Sequence, residues 1–148
     1  MLRARDIMTE DVITITPDTT VEEAARILSE NQISGIPVVK DNKLVGIVSE
    51  RDIIMKDKKL SFPDYINILG GIIYLGNIKK FEEEFKKYLS VTVEGLMTAE
   101  PKTVKPDATI EEIATLMVEK EINRLPVVEE GRLVGIITRA DLVRKMAK

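Results

Sequence analysis

Two short stretches of this chain place a hydroxyl three residues ahead of an aspartate. One is Gly46-Ile47-Val48-Ser49-Glu50-Arg51-Asp52 and the other is Gly135-Ile136-Ile137-Thr138-Arg139-Ala140-Asp141. In each, apolar strand residues run into a helix, and helical spacing sets the pair on one face of a first turn beside free backbone N–H groups. A carboxylate is a natural bidentate acceptor for a cis-diol, as in the ribose-binding acid of dinucleotide folds. Arg51, Arg124 and Arg139 supply forked donors that suit phosphate, and a helix start adds a dipole that favours an anion. Such corners could hold a molecule with hydroxyls and phosphate. The same residues also have plainer uses. Ser49 and Thr138 make good N-caps, Asp52 and Asp141 favour a positive helix end, and Gly46 and Gly135 read as close packing along a strand.

Composition removes other chemistries. The 148 residues include neither Cys nor His, which excludes thiol nucleophiles, disulfides, imidazole acid–base catalysis and the usual zinc or haem ligand sets. A carboxylate-bound Mg²⁺ stays allowed. At 44% hydrophobic and 32% charged the chain is that of a folded globular protein. A net charge of -3, with no basic run interleaved with aromatics, argues against nucleic-acid binding. No run reaches the ~18 apolar residues of a membrane span, and Met1-Leu2-Arg3-Ala4-Arg5-Asp6 leads into no signal-peptide core, so a cytoplasmic protein is expected.

The elements that position the corners come twice. An offset of 89 positions carries Ile7–Lys56 onto Leu96–Lys145 without a gap. Met8-Thr9 falls on Met97-Thr98, Pro17-Asp18 on Pro106-Asp107, and Pro37-Val38-Val39 on Pro126-Val127-Val128. Within a copy, Thr14-Ile15-Thr16 reads as a short β-branched strand stopped by Pro17. Thr20 and Glu23 form a capping box ahead of a helix with Val21, Ala24, Ala25, Ile27 and Leu28 on one face. Ile36-Pro37-Val38-Val39 and Leu44-Val45-Gly46-Ile47-Val48 flank a polar turn as a hairpin. Ser49 then caps a closing helix. In the second copy Thr109 and Glu112 make the box, and Glu130-Gly131 make the turn.

Each unit is therefore expected to be β-α-β-β-α. About 50 residues bury too little apolar surface to be comfortable alone, so the two should pack face to face about a pseudo-twofold. The expected division is 1–56, an insert over 57–93, and 94–148. In the insert, Phe62-Pro63-Asp64-Tyr65 looks like a helix start. Ile66, Ile68, Leu69, Ile72, Ile73 and Leu75 make the most apolar stretch, and Lys79–Leu89 reads as an amphipathic helix. Such an insert should dock on the paired units or on a second chain.

In this arrangement the sequence resembles a tandem pair of cystathionine-β-synthase (CBS) domains, a Bateman module. The resemblance is carried by the Met-Thr openings and by Thr-x-x-Pro-Asp at Thr14–Asp18 and Thr103–Asp107. It is carried as well by Ile33-Ser34-Gly35-Ile36-Pro37-Val38-Val39 against Ile122-Asn123-Arg124-Leu125-Pro126-Val127-Val128, and by the two Gly-Ile-x-(Ser/Thr)-x-x-Asp corners. It implies an α/β (α+β) fold of two CBS units packed through their sheets, with a helical insert between. It also implies a non-catalytic module that binds an adenosine nucleotide in clefts between the repeats. The ligand implied is AMP, ADP or ATP; S-adenosylmethionine and a dinucleotide are the alternatives.

Carried over residue by residue, one cleft would combine Ile47, Ser49, Arg51 and Asp52 with Thr98, Pro101, Lys102, Ile122, Asn123 and Arg124. The other would combine Ile136, Thr138, Arg139, Ala140 and Asp141 with Thr9, Val12, Ile13, Ile33, Ser34 and Gly35. Lys102 and Arg124 stand where the other cleft has Ile13 and Gly35, so the first cleft is expected to prefer the more highly phosphorylated ligand. No catalytic cofactor or metal is expected. A homodimer and a separate regulated protein are the expected partners. An enzyme is the first rival, but the chain has no Gly-x-x-x-x-Gly-Lys-(Ser/Thr) loop and no activated nucleophile. A dimerising scaffold without ligand is the second.

Overall fold

The two long repeat helices begin where a hydroxyl can take an orphan N–H. The computed structural model describes residues 1–55, 65–68, 71–74 and 78–147 of the chain. Helix α1 spans Ala4–Ile7 and α2 spans Val21–Asn31. Thr20 caps α2 by accepting from the Glu23 backbone N at 3.2 Å, and the apolar face buries Val21, Ala24 and Leu28. Only the hydroxyl half of the expected box is present in the first repeat. In the second, Thr109 and Glu112 form both halves at the start of α5 (Ile110–Glu119).

The hairpins follow from their turns. Strands β1 (Gly35–Lys40) and β2 (Lys43–Ser49) pair antiparallel around Asp41-Asn42, both at left-handed φ (52° and 66°). That backbone matches the twist of a two-residue hairpin loop. Near the carboxyl end, β6 (Arg124–Glu129) and β7 (Arg132–Thr138) repeat the pattern around Glu130 and Gly131. A register shift falls between Val38 and Val39, and again between Val127 and Val128. Helix α3 (Glu50–Met55) follows β2, and α6 (Arg139–Met146) follows β7.

The first strand expected in each unit contracts to one bridged residue. Ile15 lies parallel to Val38, donating to Pro37 O and accepting from Val39 N; Val104 does the same beside Val127. Pro17-Asp18 and Pro106-Asp107 turn the chain immediately afterwards, so no ladder extends.

The opening of each repeat packs with the other repeat. Ala4 and Ile7 are buried in the second unit's core with Ile113, Met117, Leu125, Val127, Ile137 and Leu142. Val93 is buried with Ile15, Ala24, Leu28, Ile36, Val38 and Val48 in the first unit, with Met97 packed against them. Strand β5 (Thr98–Ala99) adds to the edge of β2, pairing Ile47 with Thr98, while Thr9 and Ile136 exchange both backbone hydrogen bonds at 2.9 and 3.0 Å. The methionines of the Met-Thr openings lie over the strand glycines. A Cβ on Gly46 would stand 2.5 Å from Met97 Sδ, and one on Gly135 would stand 2.4 Å from Met8 Sδ. Both glycines therefore serve packing.

The insert carries a hairpin beside its helix. Strands β3 (Tyr65–Ile68) and β4 (Gly71–Tyr74) pair antiparallel, so Tyr65 belongs to a strand instead of a helix start; Phe62, Pro63, Asp64, Leu69 and Leu75 lie outside the described residues. Helix α4 spans Ile78–Leu89. Its carboxyl end docks on the first unit, where Tyr88 is buried with Val21 and Leu96 and its hydroxyl donates to the Ile53 carbonyl. Among the described residues no helix is long and apolar enough to cross a membrane.

Candidate functional site

The two corners are built as capping boxes. At the first, Asp52 N donates to Ser49 Oγ at 3.2 Å and Ser49 N donates to Asp52 Oδ2 at 3.0 Å. At the second, the equivalent bonds between Thr138 and Asp141 measure 3.3 and 2.8 Å. Local structure alone thus accounts for the hydroxyl-to-acid spacing. What each corner can do further depends on what faces it.

The first corner faces a cavity of about 610 Å³ between the repeats. Ile47, Ser49, Arg51 and Asp52 line it from the first unit, with Thr98, Pro101 and Lys102 following the crossed opening. Ile122, Asn123 and Arg124 close it from the second unit. Every residue grouped into that cleft from the sequence lines this one space, whose size suits a small organic ligand. Ile47 and Ile122 give it apolar walls. Burial lowers the pKa of the Arg124 guanidinium from its ordinary value, while the charges of Asp52 and Glu50 raise it. A cation and a carboxylate thus face the same space from opposite units.

Five further residues line this cavity beyond those expected there: Ser34, Glu50, Glu100, Glu121 and Pro126. Each of the three acids is a direct neighbour of a residue already assigned, and that adjacency was the available signal. Glu100 and Glu121 sit at left-handed backbone (φ 49° and 52°), just after β5 and α5, where the chain reverses. With them the lining carries Glu50, Asp52, Glu100 and Glu121 against Arg51, Lys102 and Arg124. Ser34 is expected from the sequence in the second cleft. It lines the first because Arg124 Nη2 reaches across the unit boundary to donate to Ser34 Oγ at 2.7 Å.

The residues of the second group are placed differently. Thr9 is held in its backbone pairing with Ile136. Ile33 packs against the first unit's core, and Gly35 lies against the Arg124 side chain. Ile13 is 39% exposed and Val12 is half-buried. Asp141 Oδ1 accepts from Arg144 Nη2 at 2.6 Å, an ion pair to a side chain that is 71% exposed. Arg139 lines a hollow formed by α5 and α6 with Val118, Val143 and Met146, and Ala140 is exposed. The position corresponding to Arg144 in the first repeat is Met55.

A larger hollow, about 1010 Å³, lies over α5 and α6 beside Met1, Leu2, Ile110, Leu116 and Met146. It is the larger space, and Glu111, Glu112, Glu119 and Lys145 line it, but all four belong to the second unit and none of its lining residues is an arginine.

Comparison with known proteins places these features. The CBS domain family model matches the chain twice, over residues 4–59 and 93–148. An uncharacterised protein of Methanocaldococcus jannaschii, MJ1426, is 38% identical, the match spanning 96% of this chain and 89% of that protein. An inosine-5'-monophosphate dehydrogenase of Korarchaeum cryptofilum is 35% identical, but the chain spans only 23% of its length. Among solved structures, CBSX2 of Arabidopsis thaliana in complex with AMP superposes with a TM-score of 0.75 and 30% identity, over 99% of this chain and 97% of that one. The CBS domain pair of MJ0100, in complex with 5'-methylthioadenosine and S-adenosyl-L-methionine, gives 0.71 and 26% over 99% and 97%.

Proposed function

The chain belongs to the CBS domain family, with two tandem copies of the domain, and from that premise we propose that it is a non-catalytic regulatory module that binds an adenosine ligand in its first inter-repeat cleft. The observation that carries this reading is the gathering of Asp52 and Arg124, from different units, around one cavity of about 610 Å³. Asp52 accepts the ribose hydroxyls, Ile47 and Ile122 flank the adenine, and Arg124 takes the phosphate. The AMP complex of CBSX2 and the adenosyl ligands of MJ0100 support the ligand class.

The lining shifts the expectation about the phosphate tail. Once Asp52 is committed to the ribose, Glu50, Glu100 and Glu121 offset Arg51, Lys102 and Arg124. A triphosphate would bring charge that this rim does not balance, so AMP is the ligand assigned, ahead of ATP. The sulfonium of S-adenosylmethionine, carrying one positive charge, is the second fit, beside Glu50, Glu100 and Glu121.

A ligand that contacts both units clamps them, and it acts as a signal only if it binds one arrangement more tightly than another. The signal passes to a separate protein. A homodimer belongs to the same reading, since Ile54, Val118, Val143 and Met146 are 59–77% exposed on helices of the two units. Isothermal calorimetry of the purified chain against AMP, ADP, ATP, S-adenosylmethionine and adenosine tests the proposal. Saturable binding with AMP tightest is expected; no heat and no thermal shift with any of the five would leave a scaffold.

A further inference from the structure

The pseudo-twofold that relates the repeats equates Arg124 with Gly35 and Asn123 with Ser34. In the folded chain these counterparts meet. A Cβ built on Gly35 would stand 2.5 Å from Arg124 Nε and 2.9 Å from Cζ, while Nη2 donates to Ser34 Oγ at 2.7 Å. The boundary between the units therefore has room for one long side chain at this place, not two.

Ser34 is itself held. Its carbonyl accepts from Glu50 N at 3.0 Å, which ties it to the start of the helix that carries Asp52. Asn123 is tied in the same way by Arg139 N at 2.8 Å. Arg124 thus stands between two anchored loops, and burial has already stripped part of its hydration. A guanidinium has five N–H donors in a fixed fork. One nitrogen directed at Ser34 fixes the plane of the fork and leaves its other donors for an anion.

We propose that Ser34 is a positioning residue for phosphate recognition: it holds Arg124 across the unit boundary at the phosphate end of the first cleft, and Gly35 keeps that place open. The inference rests on the first-cleft reading above. It makes phosphate recognition a property of one cleft, because the position that would supply the arginine to the other is the glycine on which Arg124 lies.

The test is calorimetric titration of the wild-type chain and of Ser34→Ala, Ser34→Thr, Gly35→Ala and Arg124→Ala with AMP and with adenosine. The wild type should bind AMP about tenfold or more tighter than adenosine, the yield of one charge-assisted contact. Ser34→Ala should cut that ratio by about threefold to tenfold through AMP alone, and Ser34→Thr should restore it. Gly35→Ala should match Arg124→Ala, because its methyl occupies the guanidinium's place. Unchanged adenosine affinity reports that each variant retains the cleft. Wild-type AMP-to-adenosine ratios in both Ser34→Ala and Gly35→Ala overturn the inference and leave the first-cleft reading standing. If the wild type binds neither ligand, both fall.

Discussion

Replacing Asp52 with alanine separates two tasks of one carboxylate. Its Oδ2 accepts from Ser49 N, closing the box at the start of α3, as Asp141 does for Thr138 N at the start of α6. Losing that half of a box costs about 1 kcal/mol at either corner, or roughly 3 °C in Tm for a chain of this size. Asp141→Ala also removes the pair with Arg144, but that partner is 71% exposed, so the pair adds about 0.5 kcal/mol. The two variants should therefore melt within a few degrees of each other. Binding should set them apart. A carboxylate that takes both ribose hydroxyls makes charge-assisted bonds of about 1.5–3 kcal/mol each. Asp52 is half-exposed and already serves the Ser49 N–H, which lowers the expected loss to about 2 kcal/mol for the pair, or about 30-fold in Kd. Calorimetry should show this loss for AMP and adenosine alike in Asp52→Ala, since the ribose is common to both. Asp141→Ala should leave first-cleft affinity unchanged. Equal affinities in wild type, Asp52→Ala and Asp141→Ala would refute the ribose assignment and leave Asp52 as a cap.

Two further tests address the packing and the charge of the same cleft. Gly46→Ala and Gly135→Ala drive a methyl into Met97 and Met8 respectively, and each should destabilise the chain by about 1–3 kcal/mol in urea unfolding. Met97→Ala should recover part of that loss in the Gly46→Ala background; a Gly46→Ala chain of unchanged stability would mean that Met97 is not seated there. Glu100→Lys and Glu121→Lys should each raise the affinity for ATP relative to AMP by about threefold at low ionic strength, an effect that fades in salt. An unchanged ratio would show that these carboxylates do not reach the phosphates.

The residues gathered in the first cleft were legible through the resemblance to tandem CBS pairs, which sets the corner of one copy against the loop before β6 of the other; the repeat supplied both parts but not their pairing. The second group was not placed so simply. The resemblance grouped its residues as a second cleft already expected to differ from the first, and the sequence did not show that Asp141 pairs with Arg144, whose matching position in the first repeat is Met55. Ser34 changes side because an arginine grows where its counterpart is a glycine. The expectation of a more highly phosphorylated ligand weighs Lys102 and Arg124 alone, while the proposal of AMP weighs Glu50, Glu100 and Glu121 beside them. Glu50, Glu100 and Glu121 flank assigned residues in the chain, but whether a neighbour faces the same space depends on the backbone, and the left-handed φ at Glu100 and Glu121 is not a property those residue types announce.

By itself the sequence determined the features that short-range physics controls. The hydroxyl caps at Thr20, Thr109, Ser49 and Thr138, the two-residue hairpin turns and the apolar helix faces follow from bonds and spacings within a few residues. Only the tertiary structure decided which core each opening segment joins. Ala4 and Ile7 are apolar wherever they go, and nothing in their spacing says that they complete the second unit while Val93 and Met97 complete the first. That choice is made by burial between segments far apart in the chain, where the gain depends on the shape both units present together. The same holds for Arg124: its charge is written in the sequence, but its place over Gly35 and against Ser34 exists only once two surfaces meet.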